Sequence, residues 1–324
     1  MSLARRRLAL VTISCAVVLT AASVALGRQH TAVAPSGGAT ASAATVAAVP
    51  PTAKAAAAPP ACASAPRGTG VTVDVATPDG PRSALLHLPP HWRDVRLPLV
   101  VALHGSGGDG PFMESYSGLS RLADKAGFAV VYPSAPGGVW AYGTDRDVGF
   151  IDELLDQLAG RACIDASRVY VTGVSNGGGM TARLGCRLAE RVVAIAPVAG
   201  GYKALPDCTP EQPVSVLEIH GTADRVVPYG GAPPDFRGSV TRYLRGWLGM
   251  DHCPGRVQRS TVNASTQRLL WTGCAAGTTV QHLRLFGAPH TWPGVDPRDP
   301  WPDAQEMVWD FFQSVGAHGA PRRG

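Results

Sequence analysis

The sequence predicts an α/β fold, a doubly wound and mostly parallel sheet with helices on both faces. Short apolar, β-branched runs alternate with helix-compatible stretches from about residue 68 to residue 316, the pattern of repeated strand–helix–strand units. Leu97 to Leu103 is nearly all apolar, as a strand covered by helices on both faces requires. Glycine-rich segments follow two of the runs, at 105–110 and 173–179, where a chain leaving a sheet has to turn sharply.

Taken in order, two segments precede this body. Arg5 to Arg7, the apolar stretch Leu8 to Leu26 and small residues near Ala22 to Ala25 have the layout of a secretory signal over residues 1–26. The stretch also approaches the roughly 20 residues that span a bilayer, so an N-terminal anchor is the rival reading; the small-residue exit favours cleavage. Either way the body lies outside the cytoplasm. Residues 27–66 are mostly Ala, Pro, Thr, Ser and Gly, with too little to bury to offset the entropy of ordering, and read as a disordered linker.

The body, 67–318, opens with strands at Val71 to Val75 and Ser83 to Leu88, joined by the turn residues Pro78-Asp79-Gly80. After the Leu97 to Leu103 strand come a glycine-rich loop, a helix over Tyr116 to Lys125, a strand at Phe128 to Tyr132 and a helix over Phe150 to Leu158. Arg168 to Thr172, Val192 to Val198 and Val214 to Ile219 are further strands. A helix over Ser239 to Leu248, strands at Leu269 to Trp271 and Thr279 to Leu285, and an amphipathic helix from Ala304 to Val315 complete it. Residues 319–324 read as a flexible tail.

Charge narrows the partners. Seven of the 29 basic residues lie in the first 66 positions and at Arg322 and Arg323, leaving 22 bases against 24 acids in between. A near-neutral body lacks the clustered basic face that nucleic acid needs. Apart from Cys15, six cysteines remain (62, 163, 186, 208, 253, 274), suited to an oxidising compartment and allowing 15 connectivities. Cys253 with Cys274 is the preferred pair, since it closes the excursion between a helix end and the following strand. Cys186 with Cys208 and Cys62 with Cys163 follow. No Cys-x-x-Cys pair occurs, which disfavours zinc.

The chemistry centres on Gly173-Val174-Ser175-Asn176-Gly177. With 38 glycines in 324 residues, the bare Gly-x-Ser-x-Gly pattern arises by chance about 0.3 times, so its setting decides. A strand precedes it and a helix follows, the strand–turn–helix corner that exposes a nucleophilic serine in α/β-hydrolases. A serine hydroxyl needs a base, and the base an orienting acid, in the chain order Ser, Asp, His for this fold. Asp224, in His220-Gly-Thr-Ala-Asp224, and His290, in Ala288-Pro-His290, lie just past strand ends in that order, on the edge where such sheets place ligands. His104 and His220 read instead as satisfying backbone groups. Gly105, Gly107 and Gly110 match a dinucleotide pattern, but Pro111-Phe112 interrupts a helix start and no acid ends the next strand, so nucleotide binding is set aside. The loop reads as an oxyanion loop, with the backbone N–H of Ser106 joining that of Asn176. Trp292 and Trp140, on loops near these segments, are candidate substrate contacts; core packing is the usual fate of Trp.

With Leu103-His-Gly-Ser-Gly-Gly108, Gly173-Val-Ser-Asn-Gly-Gly178, His220-Gly-Thr-Ala-Asp224 and His290-Thr-Trp-Pro293 all in place, the chain resembles the secreted polyhydroxybutyrate depolymerase-type esterases, a family overlapping bacterial feruloyl and acetylxylan esterases. The resemblance covers roughly residues 70–316. It implies an α/β-hydrolase fold and extracellular ester hydrolysis by a Ser-His-Asp acyl-enzyme route with no metal or cofactor. The partner implied is an ester substrate: a small molecule, an oligomer or a polysaccharide-linked ester. Depolymerases acting on solid polyester usually carry an added binding domain; none is visible, so soluble or oligomeric esters are expected. An inactive wall-associated binding protein and a peptidase are the competing classes.

Overall fold

A computed structural model describes residues 68–90, 95–161, 163–202, 207–232 and 238–316. The signal, linker and tail expectations, and Cys62, lie outside these residues. Ten strands form one sheet in the order β1-β2-β4-β3-β5-β6-β7-β10-β9-β8. They are β1 (Gly68–Thr77), β2 (Gly80–Leu88), β3 (Leu97–Leu103), β4 (Ala129–Pro133), β5 (Ile164–Val174), β6 (Ala194–Val198), β7 (Ser215–Gly221), β8 (Gln258–Asn263), β9 (Thr266–Trp271) and β10 (Val280–Leu285). From β4 through β10 the neighbours pair in parallel, while β1 and β2 at one edge and β8 and β9 at the other pair antiparallel.

The apolar runs become the buried centre because both faces are covered. All seven residues of β3 are buried. Leu97, Leu99, Val101 and Leu103 join one core layer while Val100 and Ala102 join the other, as the two-residue period of a strand dictates. The first layer is closed by α3 (Arg146–Arg161), α4 (Asn176–Arg187) and α5 (Val240–Met250), the second by α1 (Gly110–Ser117), α2 (Leu119–Ala126) and α6 (Ala304–Gly316). No helix among the described residues is long and apolar enough to cross a membrane.

The element order places the site. From β3 the chain moves to β4 on one side and then crosses back to β5 on the other. The carboxyl ends of β3 and β5 therefore flank a topological switch point, where connections diverge and leave a crevice. The glycine-rich loop leaves β3 there and Ser175 leaves β5.

Three local expectations change. The helix expected over 116–125 is two helices broken at Gly118, whose φ of 71° ends one and starts the other. Pro111 does not interrupt a helix start; α1 opens at Gly110, with Asp109 Oδ1 accepting the Phe112 N–H at 2.8 Å. Proline fits there because the first-turn N–H it lacks has no intrahelical partner anyway. The strand β8 was not expected, since most of its side chains face solvent.

Disulfides join Cys186 to Cys208 and Cys253 to Cys274. Cys163 is also disulfide-bonded.

Candidate active site

Ser175 sits between β5 and α4 with φ 58° and ψ −117°, a left-handed conformation that is costly for a side-chain-bearing residue. Neighbouring backbone holds it there. Its N–H donates to Val198 O at 3.0 Å, and its carbonyl accepts from Gly179 N–H at 3.0 Å and Gly201 N–H at 3.1 Å. The strain therefore falls on the serine itself, while the glycines around it supply room. A Cβ on Gly177 would lie 2.4 Å from the carbonyl oxygens of both Leu103 and His104, so only glycine lets α4 begin against the end of β3.

The loop after β3 lies against this corner: a Cβ on Gly105 would stand 3.5 Å from the Cβ of Ser175. Gly107 N–H binds Gly138 O at 2.8 Å, fixing the loop from the far side. Asn176 is the first residue of α4, so its N–H lies among the first-turn donors that have no intrahelical acceptor. Its side chain is occupied otherwise. Asn176 Oδ1 accepts the Trp140 N–H at 2.7 Å and Nδ2 donates to Trp140 O at 3.1 Å.

Asp224 and His290 meet because their loops are sewn together. Thr222 N–H donates to Leu285 O at 2.9 Å and Ala223 N–H to Ala288 O at 3.1 Å. Gly221 makes the approach possible, since a Cβ there would fall 2.2 Å from Ala288 O. His290 Nδ1 then lies 2.7 Å from Asp224 Oδ2. Asp224 Oδ1 accepts the N–H groups of Val226 and Val227, both at 2.8 Å. Burial works against ionising this carboxyl, but hydrogen bonds from His220 and His290 outweigh it and hold it far below the usual range. An ionised Asp224 accepts only, so His290 Nδ1 carries the proton between them.

Both tryptophans expected at the substrate are core. Trp292 is 0% exposed and Trp140 1%, so neither presents a face to a ligand. Trp140 is a brace instead: its indole N–H donates to His104 O at 3.0 Å while its backbone grips Asn176. Trp292 N–H donates to Tyr116 Oη at 3.2 Å, tying the His290 loop to α1. The solvent-facing aromatic beside the glycine loop is Phe112, 48% exposed and stacked on Tyr116.

His104 satisfies backbone groups as expected, with Nε2 accepting from Ala135 N–H at 3.0 Å and Nδ1 against Gly105 O at 2.8 Å. His220 does more. Its Nε2 faces Val227 O at 2.9 Å and Asp224 Oδ2 at 3.3 Å, and Nδ1 faces Glu218 Oε1 at 2.9 Å.

A strained serine at a strand–helix corner, a glycine loop beside it at the switch point, and an Asp–His pair on the same sheet edge define the class of α/β-hydrolases. Within that class residues 82–203 match the family described as Esterase PHB depolymerase. It is 28% identical over 229 residues to the bifunctional acetylxylan esterase/xylanase XynS20E of Neocallimastix patriciarum, covering 68% of this chain and 33% of that protein. With feruloyl esterase B of Piromyces equi it shares 30% identity over 240 residues, 68% of this chain and 42% of that one. The chain thus spans less than half the length of these two relatives. Among solved structures, an acetyl xylan esterase from Aspergillus awamori superposes with a TM-score of 0.55 at 20% identity, covering 75% of this chain and 100% of that one, a likeness of fold.

Proposed function

We propose that this chain is a secreted serine hydrolase of carboxylic esters. The observation that carries the reading is the Asp224–His290 pair at 2.7 Å, on the sheet edge where Ser175 is held at φ 58°. Ser175 Oγ attacks the ester carbonyl carbon and His290 Nε2 takes the hydroxyl proton. Asp224 stabilises the imidazolium so formed. The carbonyl π electrons move to oxygen, where the N–H groups of Ser106 and Asn176 receive the negative charge. Collapse expels the alcohol, which leaves with the proton from His290. Water then repeats the sequence on the acyl-enzyme, releasing the acid and restoring Ser175.

The family match supports the polyhydroxybutyrate depolymerase-like reading. The activities for which the relatives are named favour a second reading, feruloyl or acetyl esters of plant cell-wall polysaccharide. Secretion is supported by the basic-then-apolar start of the chain and by the disulfides.

The test is a panel of hydroxybutyrate oligomers, feruloyl esters and acetylated xylan, run on the protein and on Ser175→Ala. Turnover should fall by about four to six orders of magnitude in the variant, and a fluorophosphonate should label only the native serine. An active or labelled Ser175→Ala protein would remove the assignment; preference within the panel decides between the two substrate classes.

A further inference from the structure

Behind Asp224 lies a buried polar cluster that no step above uses. On β7, Glu218 and His220 are two residues apart and share a face of the sheet. Glu218 stands in register with His282 of β10. Glu218 is 0% exposed, and His220 and His282 are each 1%.

The hydrogen bonds fix the protons. Glu218 Oε1 receives Tyr202 Oη at 2.8 Å and His220 Nδ1 at 2.9 Å, while His282 Nδ1 stands 2.6 Å from Oε2. His282 Nε2 faces Tyr229 Oη at 2.8 Å, and its Nδ1 also lies 3.1 Å from the Glu218 backbone oxygen. No neutral ring suits His220. Glu218, surrounded by donors, accepts at Nδ1, and the Val227 carbonyl and Asp224 carboxylate accept at Nε2. Either neutral tautomer would aim a lone pair at an oxygen that can only accept.

The groups around His220 agree. The Tyr202 ring lies 6.2 Å and the Tyr229 ring 6.0 Å from it, and Tyr243 stacks on Tyr202. Arg284, the register partner of His220 on β10, places its guanidinium over the Tyr229 ring at 5.3 Å. The carboxylates in contact with His220 are Glu218 and Asp224.

We propose that His220 is a positioning residue of the active site, a buried imidazolium clamped between Glu218 and Asp224 that aims the Asp224 carboxylate and offsets part of its charge at His290. This rests on the esterase reading of Ser175, His290 and Asp224. Burial by itself would strip the proton from His220, but its hydrogen bonds to Asp224 and Glu218 hold it, raising the ring to about 10. Burial likewise opposes the Glu218 charge, and His282 and His220 overcome it, holding that carboxyl at about 2.

His220→Gln separates the two roles, since a glutamine amide can donate in place of Nε2–H but carries no charge. Without the cation, the uncompensated Asp224 charge holds a proton on His290 more tightly. A unit charge one carboxylate away should move the acid limb of the kcat/KM profile up by about one pH unit. An acid limb that stays in place, with only kcat or thermal stability lowered, would show a merely structural role and overturn the proposal. Nitrogen-15 histidine NMR on the wild-type protein gives an answer that does not depend on the variant folding. At pH 8 His220 should show two protonated ring nitrogens, and a single protonated nitrogen would equally overturn it. An active Ser175→Ala protein would instead be a failure of the esterase reading, and the NMR result would still judge the imidazolium separately.

Discussion

Asp251 should make the fold weaker as the pH rises, and the structure sets the size of the effect. This carboxylate, just past the end of α5, is 0% exposed. Oδ1 accepts the Val214 N–H at 3.1 Å, at the entry to β7, while Oδ2 has no hydrogen-bond partner among the described residues. Burial raises the carboxyl to about 7, against a partial lowering by the Val214 hydrogen bond. A raised folded value means that folding favours the protonated acid. That advantage is complete below the unfolded value of 3.8, shrinks as the pH climbs, and is gone once the pH has passed about 7. At 1.36 kcal/mol per pH unit the whole loss is about 4 kcal/mol, of which about 2–3 falls between pH 5 and pH 8. Asp251→Asn keeps an acceptor for Val214 and cannot ionise, so its curve lacks this component. The new amide N–H has no partner where Oδ2 stood, a pH-independent cost of about 1–3 kcal/mol. Urea denaturation of both proteins at pH 5, 6, 7 and 8 isolates the carboxylate, since every other titrating group is common to the two. The gap between them should close or reverse by pH 8. Parallel curves would refute the reasoning, because they would mean that Asp251 ionises as freely folded as unfolded.

Two further outcomes test the packing around the site. Trp292→Ala should cost about 3–5 kcal/mol through the cavity it leaves, whereas Trp292→Phe should leave KM for soluble esters unchanged, measured by initial rates; a large KM increase in the Phe variant would restore a substrate role to the indole. Replacing Cys253 and Cys274 together by Ser should cost about 3 kcal/mol, from the unfolded-state freedom of a loop with a sequence separation of 21, read as a lower urea midpoint with kcat retained.

What the sequence disclosed and what it concealed divide along a physical line. Strands buried on both faces, such as β3 and β4, announce themselves as apolar runs because burial leaves them little alternative. Edge strand β8, Gln-Arg-Ser-Thr-Val-Asn, carries no such mark; it is a strand because β9 offers an antiparallel partner, a fact of tertiary structure. The break at Gly118 was hidden because glycine within a helical pattern is tolerated as often as it terminates one. The placement of Ser175, Asp224 and His290 was legible, since each sits at a strand end beside its own local punctuation. The tryptophans misled because a position beside the His290 loop or the glycine loop in the chain says nothing about which way the ring points, and a large apolar ring under a loop is what holds that loop in place.

The buried cluster behind Asp224 had a signal of its own. In Ser215-Val-Leu-Glu-Ile-His-Gly221, Glu218 and His220 interrupt an otherwise apolar strand at a spacing of two, which puts both on one face of a sheet with no water to solvate them. Two ionisable groups placed so have to satisfy one another, and any remaining valence has to be met from a neighbouring strand. His282 of β10 meets it, in register with Glu218. What the sequence withheld was that the same strand end also turns back through Gly221 to bring Asp224 against His220. Asp224, the proposed orienting acid, is therefore tied to a charge network within the core. Core and proposed active site share a boundary at one carboxylate, so on that reading a change made for stability at Glu218 should register in the chemistry at Ser175.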